Sequence, residues 1–104
     1  MFKMEIALNE EKILRDGIYS PADISSRIDK LFQHYHIEKQ GDGLYVGGDW
    51  ADHGVTIMYL NDKAWFMPYV EKWLWYKSKG TTISDGFVVE DLAAHYKKKG
   101  LIAS

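Results

Sequence analysis

Two aspartates and a histidine lie close together in a segment whose side chains could carry out acid–base chemistry. Asp49, Asp52 and His53 fall within residues 47–54, which begin with two glycines and end with one. A carboxylate beside an imidazole can orient it as a general base, and the same groups can hold a cation. The spacing matches neither a calcium-binding nor a phosphate-binding loop, and aspartate is common in ordinary turns. We predict a loop at 47–54 and take these three residues as candidate binding residues, with catalysis as the alternative.

The other residues with reactive or metal-binding side chains give weaker signals. The chain has no cysteine, which excludes thiol catalysis, disulfides and cysteine-based zinc sites. His34 and His36 flank the predicted end of a helix, where their rings would point apart, and the pair lacks a third ligand in sequence. No serine lies in a nucleophile-elbow pattern. We therefore expect no metal site and no cofactor.

The aromatic residues are the most unusual feature of the composition. Six of the twelve residues from Trp65 to Tyr76 are aromatic. Most of these rings are expected in the core, because large side chains contribute much of the stability of a small domain. A helix over 68–79 would turn Trp75 outward, and Trp50 lies in the predicted loop. Since exposed tryptophans are enriched at recognition surfaces, both are candidate binding residues.

Length and charge narrow the class of protein. A chain of 104 residues is the size of a single domain, 1–104. The formal net charge of −2 argues against a dedicated nucleic-acid binder, although stacking of aromatic rings on single-stranded bases remains an alternative. The longest apolar run without a charge, 55–60, is far too short to span a bilayer, and the start of the chain has no apolar signal core. We expect a cytoplasmic protein without a membrane segment.

The first third of the chain has clear helix and strand signals. Alternating apolar residues predict a strand over 2–8. Asn9 is suited to cap a short helix over 10–16. Ser20 followed by proline then begins a helix over 21–35, in which Ile, Leu, Phe and Tyr form a single apolar stripe.

The remaining elements follow from β-branched and aromatic runs and from turn residues. We predict strands over 44–46, 55–60 and 64–67, with a two-residue hairpin turn between the last two. Proline at position 68 is suited to begin a helix over 68–79, although a strand is a real alternative for this aromatic segment. A last apolar stripe predicts a helix over 87–99.

The resulting order is β-α-α-β-β-β-α-α, without regular alternation of strands and helices. This order predicts an α+β fold, with a small and mostly antiparallel sheet of three to four strands covered by helices. We interpret the protein as a small non-catalytic binding module, an accessory, inhibitor or regulator, whose partner is another protein or a second copy of itself. The alternative is a small enzyme or ligand-binding domain that uses Asp49, Asp52 and His53. No nucleic-acid partner is expected.

Overall fold

The computed structural model describes residues 2–78 and 86–98, which form five strands and four helices. In chain order these are β1 (Phe2–Leu8), α1 (Glu10–Asp16), α2 (Pro21–His34), β2 (Ile37–Gly41), β3 (Leu44–Gly47), α3 (Trp50–Leu60), β4 (Val70–Ser78), β5 (Phe87–Asp91) and α4 (Leu92–Lys98). The strands form one sheet in the order β2-β3-β1-β4-β5. Each neighbouring pair is antiparallel. The α+β class is therefore confirmed, with five strands rather than the expected three to four.

One face of the sheet is covered by helices and forms the core. Met4 pairs with Tyr45 and with Trp75 across β1, so all three side chains point to the same face. Helices α2, α3 and α4 contact this face through stacked rings: Phe32 on Tyr45 at 4.3 Å, His53 on Trp75 at 6.2 Å, and Tyr96 on Trp73 at 5.4 Å between centroids. The alternation of buried and part-exposed residues along β1 is what places one set of side chains under the helices.

The early elements confirm the predictions from sequence. Strand β1 has the predicted bounds, and α1 begins after Asn9, whose side chain accepts a hydrogen bond from the Lys12 N–H. Gly17 ends α1 with a φ of 67°, a left-handed conformation that glycine adopts without steric cost. Ser20 caps α2, which ends one residue before its predicted limit.

Three predictions around residue 55 are wrong. The predicted strand 55–60 is the second half of helix α3, the predicted loop 47–54 supplies the first half, and the predicted strand 64–67 is a series of turns. The reason is tertiary burial. His53, Thr56, Ile57 and Leu60 recur at helical spacing and are all buried, which outweighs the β propensity of the run.

The predicted helix over 68–79 is also wrong, because residues 70–78 form the strand β4 and residues 68 and 69 lie in a turn. Its predicted end at residue 79 lies outside the described residues. The alternate residues Trp73 and Trp75 of β4 are buried under the helices, and the strand pairs with β1 on one side and β5 on the other. The predicted helix over 87–99 begins instead as β5, and only its second half is α4. Its predicted end at residue 99 lies outside the described residues. Strand β2 was not predicted, and within the described ranges no helix is long and apolar enough to cross a membrane.

Candidate functional site

Asp49 and Asp52 together form the N-terminal cap of α3. The Asp49 carboxylate accepts a hydrogen bond from the Asp52 N–H at 2.8 Å, and the Asp52 carboxylate accepts one from the Asp49 N–H at 3.0 Å. This reciprocal capping box satisfies two backbone donors that would otherwise lack a partner at the start of the helix. The negative charges also complement the positive end of the helix dipole. Both aspartates therefore have a structural role that accounts for their spacing.

His53 belongs to α3 and not to a loop, and its side chain is fully buried on the side of the helix that faces the sheet. Its Nε2 lies 2.6 Å from the Gly47 carbonyl oxygen. Because a carbonyl only accepts hydrogen bonds, Nε2 carries the proton and Nδ1 presents its lone pair. Nδ1 is buried and has no hydrogen-bond partner among the described residues. Burial lowers the pKa of His53, against the opposing effects of the Gly47 bond and the charges of Asp52 and Asp49.

Trp75 lies in the core, so the expectation that its ring points outward is wrong. The residue is 6% exposed, and its ring stacks with both Phe2 and His53 at 6.2 Å between centroids. The outward orientation followed from winding 68–79 as a helix, whereas alternation along β4 turns position 75 to the covered face. Trp75 became a candidate binding residue because its ring was expected to be exposed, and this reason no longer holds.

Trp50 is exposed, at the first residue of α3. Its side chain is 63% exposed. Of the five candidate binding residues, it is the one that presents a large apolar group to the surroundings. The structure thus brings Asp49, Asp52 and His53 together at one end of α3. The two aspartates cap the helix, and the histidine is part of the core. Trp50 belongs to an exposed apolar surface that was not predicted from the sequence.

The outward side of α3 is apolar. Met58 is 72% exposed, Tyr59 44% and Val55 41%. Helix α3 has one charged residue, Asp52, and that carboxylate is used in the cap. A helix that is apolar all round is normally buried on all sides. We call this the outer α3 surface; it consists of Trp50, Ala51, Gly54, Val55, Met58 and Tyr59. The surface was not predicted from the sequence, because residues 47–54 were expected in a loop and 55–60 in a strand.

A groove between α2 and the end of α3 adjoins the outer α3 surface. It has a volume of about 420 Å³, and Tyr59 forms part of its wall together with Trp65. Two cations rest on these rings: the Arg27 guanidinium lies 5.6 Å from the Trp65 centroid, and the Lys63 ammonium lies 4.3 Å from that of Tyr59. The groove gives the apolar surface a polar, cationic border, the arrangement common at protein interfaces.

The histidine pair near the end of α2 shows no metal-binding arrangement. Within the described residues, no group of three or more His, Asp or Glu side chains is placed to hold a metal ion. His36 has a φ of 61°, the left-handed conformation that ends α2 and leads the chain into β2. Its position is therefore explained by the turn out of the helix.

Comparison with known proteins adds no relative. No family model, no curated protein and no solved structure matches this chain. The outer α3 surface is a feature that packing within the described residues leaves unexplained.

Proposed function

We propose that this protein is a non-catalytic interaction module whose outer α3 surface docks against another protein surface. The observation that carries the proposal is that α3 is apolar on both sides. Its inner side packs His53, Ile57 and Leu60 into the core, and its outer side leaves Met58 and Val55 exposed. Covering exposed apolar area contributes about 25 cal/mol per Å². A helix of this composition is suited to lie between two protein layers.

The contacts of Asp49, Asp52 and His53 favour this proposal over the enzymatic alternative. The carboxylates of Asp49 and Asp52 accept backbone hydrogen bonds at the helix start. The His53 ring is 0% exposed and bonded to the Gly47 carbonyl. A general base must reach a proton on the substrate, and this imidazole is covered by its own fold. The net charge of −2 favours a protein over a nucleic acid as the partner. The cytoplasmic location stays an expectation from the composition.

Site-specific photocrosslinking in native cells tests the proposal. The residue p-benzoylphenylalanine is placed at Met58 in the full chain, and in a control chain at Leu14. Leu14 is 67% exposed on α1, between acidic and basic neighbours. We expect a covalent adduct with a polypeptide from position 58 and little or none from position 14. Absence of an adduct at position 58, or equal yields at the two positions, contradicts the proposed docking surface.

A further inference from the structure

Gly54 lies in the interior of α3, and its own fold does not explain its presence there. Glycine inside a helix costs about 0.5–1 kcal/mol relative to alanine. A glycine is usually retained in a helix where another atom lies too close for a side chain. At Gly54 an added Cβ would meet no described atom within 4 Å. The space beside this backbone is open within the chain, so the missing side chain leaves room for something that approaches from outside.

Ala51 and Gly54 are the small residues of the outer α3 surface, and the larger Val55 and Met58 follow them along the helix. Ala51 and Met58 are seven residues apart, about two helical turns, and so they lie on the same side of the helix. Gly54 and Val55 lie midway between them. If a second copy of α3 lies antiparallel to the first and is centred on this midpoint, its Ala51 lies opposite Met58 of the first copy. In an antiparallel copy Met58 therefore faces Ala51 and Val55 faces Gly54, a larger side chain on a smaller one. Trp50 faces Tyr59, an aromatic ring on an aromatic ring.

The charge distribution also favours a second copy as the partner. Two identical charged patches repel each other when they meet, at a cost in both repulsion and desolvation. The outer α3 surface limits this cost, because none of its six residues is charged and the Lys63 ammonium borders it at the Tyr59 end rather than at its middle. By contrast, the exposed apolar side chain of Leu14 on α1 lies among Glu10, Glu11 and Arg15. Contact between two copies is therefore electrostatically permitted at α3, whereas at α1 it would bring charged side chains of both signs together.

We propose that the protein that docks on the outer α3 surface is a second copy of this chain, in a two-fold symmetric dimer. The two α3 helices cross antiparallel at Gly54 and Val55, and each Met58 packs over Ala51 of the partner subunit. Such an isologous contact buries the same surface on both subunits. The inference rests on the proposed function and names its partner.

The length of α3 limits the area that this dimer can bury. Eleven residues make a helix about 16 Å long. An interface centred on one such helix is at the small end of specific protein interfaces. We expect a dissociation constant on the order of micromolar, so that monomer and dimer exchange within concentrations that are easily prepared.

Sedimentation velocity of the full chain, from low micromolar to submillimolar concentration, measures the assembly. The wild-type mass should rise from 12.0 kDa towards twice that value. Met58→Glu should weaken association at least tenfold, because a charge is buried against an apolar surface. Gly54→Leu should also weaken it while preserving helix content by circular dichroism, since leucine favours a helix more than glycine does. Leu14→Glu is the matched control and should behave as the wild type.

Single-cysteine variants test the geometry, because the natural chain has no cysteine. At the proposed crossing the two copies of position 55 are adjacent, so Val55→Cys should form an intersubunit disulfide with itself under mild oxidation. Met58→Cys should not link to itself, because the two copies lie about 10 Å apart along the helix axis. A mixture of Ala51→Cys and Met58→Cys should give the mixed disulfide. Equal self-linking at 55 and 58 overturns the antiparallel crossing.

Two results overturn the second copy as partner. One is a wild-type mass that stays at 12.0 kDa at all concentrations. The other is a dimer that neither Met58→Glu nor Gly54→Leu weakens, because that dimer would use another surface. The photocrosslinking experiment separates this failure from that of the proposed function. An adduct at position 58 with a different polypeptide refutes only the second copy, whereas no adduct refutes both.

Discussion

His53 shows how one buried side chain connects sequence, packing and pH dependence. Its ring lies between α3 and the sheet, 5.5 Å from the Phe2 ring and 6.2 Å from the Trp75 ring between centroids. The proton sits on Nε2, which donates to the Gly47 carbonyl. A second proton on Nδ1 would place a positive charge at a buried atom without a hydrogen-bond partner among the described residues. The fold therefore favours the neutral ring.

The free energy of unfolding should fall as the pH is lowered through the titration range of His53. Burial lowers the pKa of His53 from its usual 6.5, so the unfolded chain binds a proton more readily than the folded one. The stabilisation is complete above about pH 6.5 and is lost as the pH falls towards the folded pKa. Urea denaturation at pH 7 and at pH 5 measures it. His53→Gln should show a smaller fall than the wild type, whereas the exposed His34→Gln should show the full one.

The two candidate tryptophans should respond oppositely to truncation. Trp75→Ala removes a ring from the core and should lower the free energy of unfolding by about 3–5 kcal/mol. Trp50→Ala changes an exposed side chain and should lie within about 0.5 kcal/mol of the wild type. Chemical denaturation at concentrations where the chain is monomeric measures both. Similar losses in the two variants would contradict the assignment of Trp75 to the core and Trp50 to the surface.

At the scale of single elements, the aspartates at the start of α3 determine where the helix begins. Their reciprocal hydrogen bonds begin a helix in a segment that glycine and β-branched residues otherwise disfavour. The sequence did contain the aspartate spacing, but the loop prediction assigned it to ligand binding. The error at β4 has a different origin, because aromatic residues are compatible with a helix or a strand and the neighbouring strands β1 and β5 decide between them.

Substitutions at Asp49 should separate a capping role from a catalytic or ligand-binding one. Asp49→Ala removes the side-chain acceptor of the Asp52 N–H and should lower the free energy of unfolding by about 1 kcal/mol. Asp49→Ser keeps an acceptor and should recover most of this loss, since serine is a good capping residue. Thermal and urea denaturation measure the difference. Equal losses for the two variants would show that the carboxylate has another role.

At the scale of the whole molecule, the open face of the sheet and the helical side differ in the polarity of their exposed side chains. The sheet face opposite the helices carries a polar network, in which Glu5 accepts hydrogen bonds from Lys72 at 3.0 Å and from Tyr76 at 2.9 Å. The Lys72 and Tyr76 bonds lower the pKa of Glu5 and keep it charged. The outer α3 surface has no comparable network. We therefore propose the helical side, and not this sheet face, as the side that another molecule covers.

The melting temperature of the wild type should rise with protein concentration. A partner that binds only the folded state adds to its stability in proportion to the logarithm of its concentration. From below to well above the dissociation constant, we expect an increase of several degrees, because about 1 kcal/mol shifts a domain of this size by about 5 °C. Scanning calorimetry over this range measures it. Met58→Glu should melt at one temperature throughout; a wild type that does so too would contradict the dimer.

The sequence by itself determined the elements whose signals are local. Strand β1, helices α1 and α2 and their caps follow from alternation, helical spacing and capping residues within a few positions of one another. The α+β class follows from strands and helices that do not alternate regularly along the chain. These features depend on contacts along the chain, which a linear pattern records.

Only the tertiary structure decided α3, β4 and the location of the exposed apolar surface. Residues 50–60 are apolar at most positions, and the apolar residues 73–76 of β4 are consecutive, so periodicity does not separate helix from strand. Their conformations are settled by distant partners: β4 pairs with β1 along seven residues of that strand, and α3 covers the rings of that pair. The sequence pointed to Trp75 because residues 68–79 were wound as a helix. The structure points to Met58 and Gly54, because packing alone fixes which side of α3 faces the sheet.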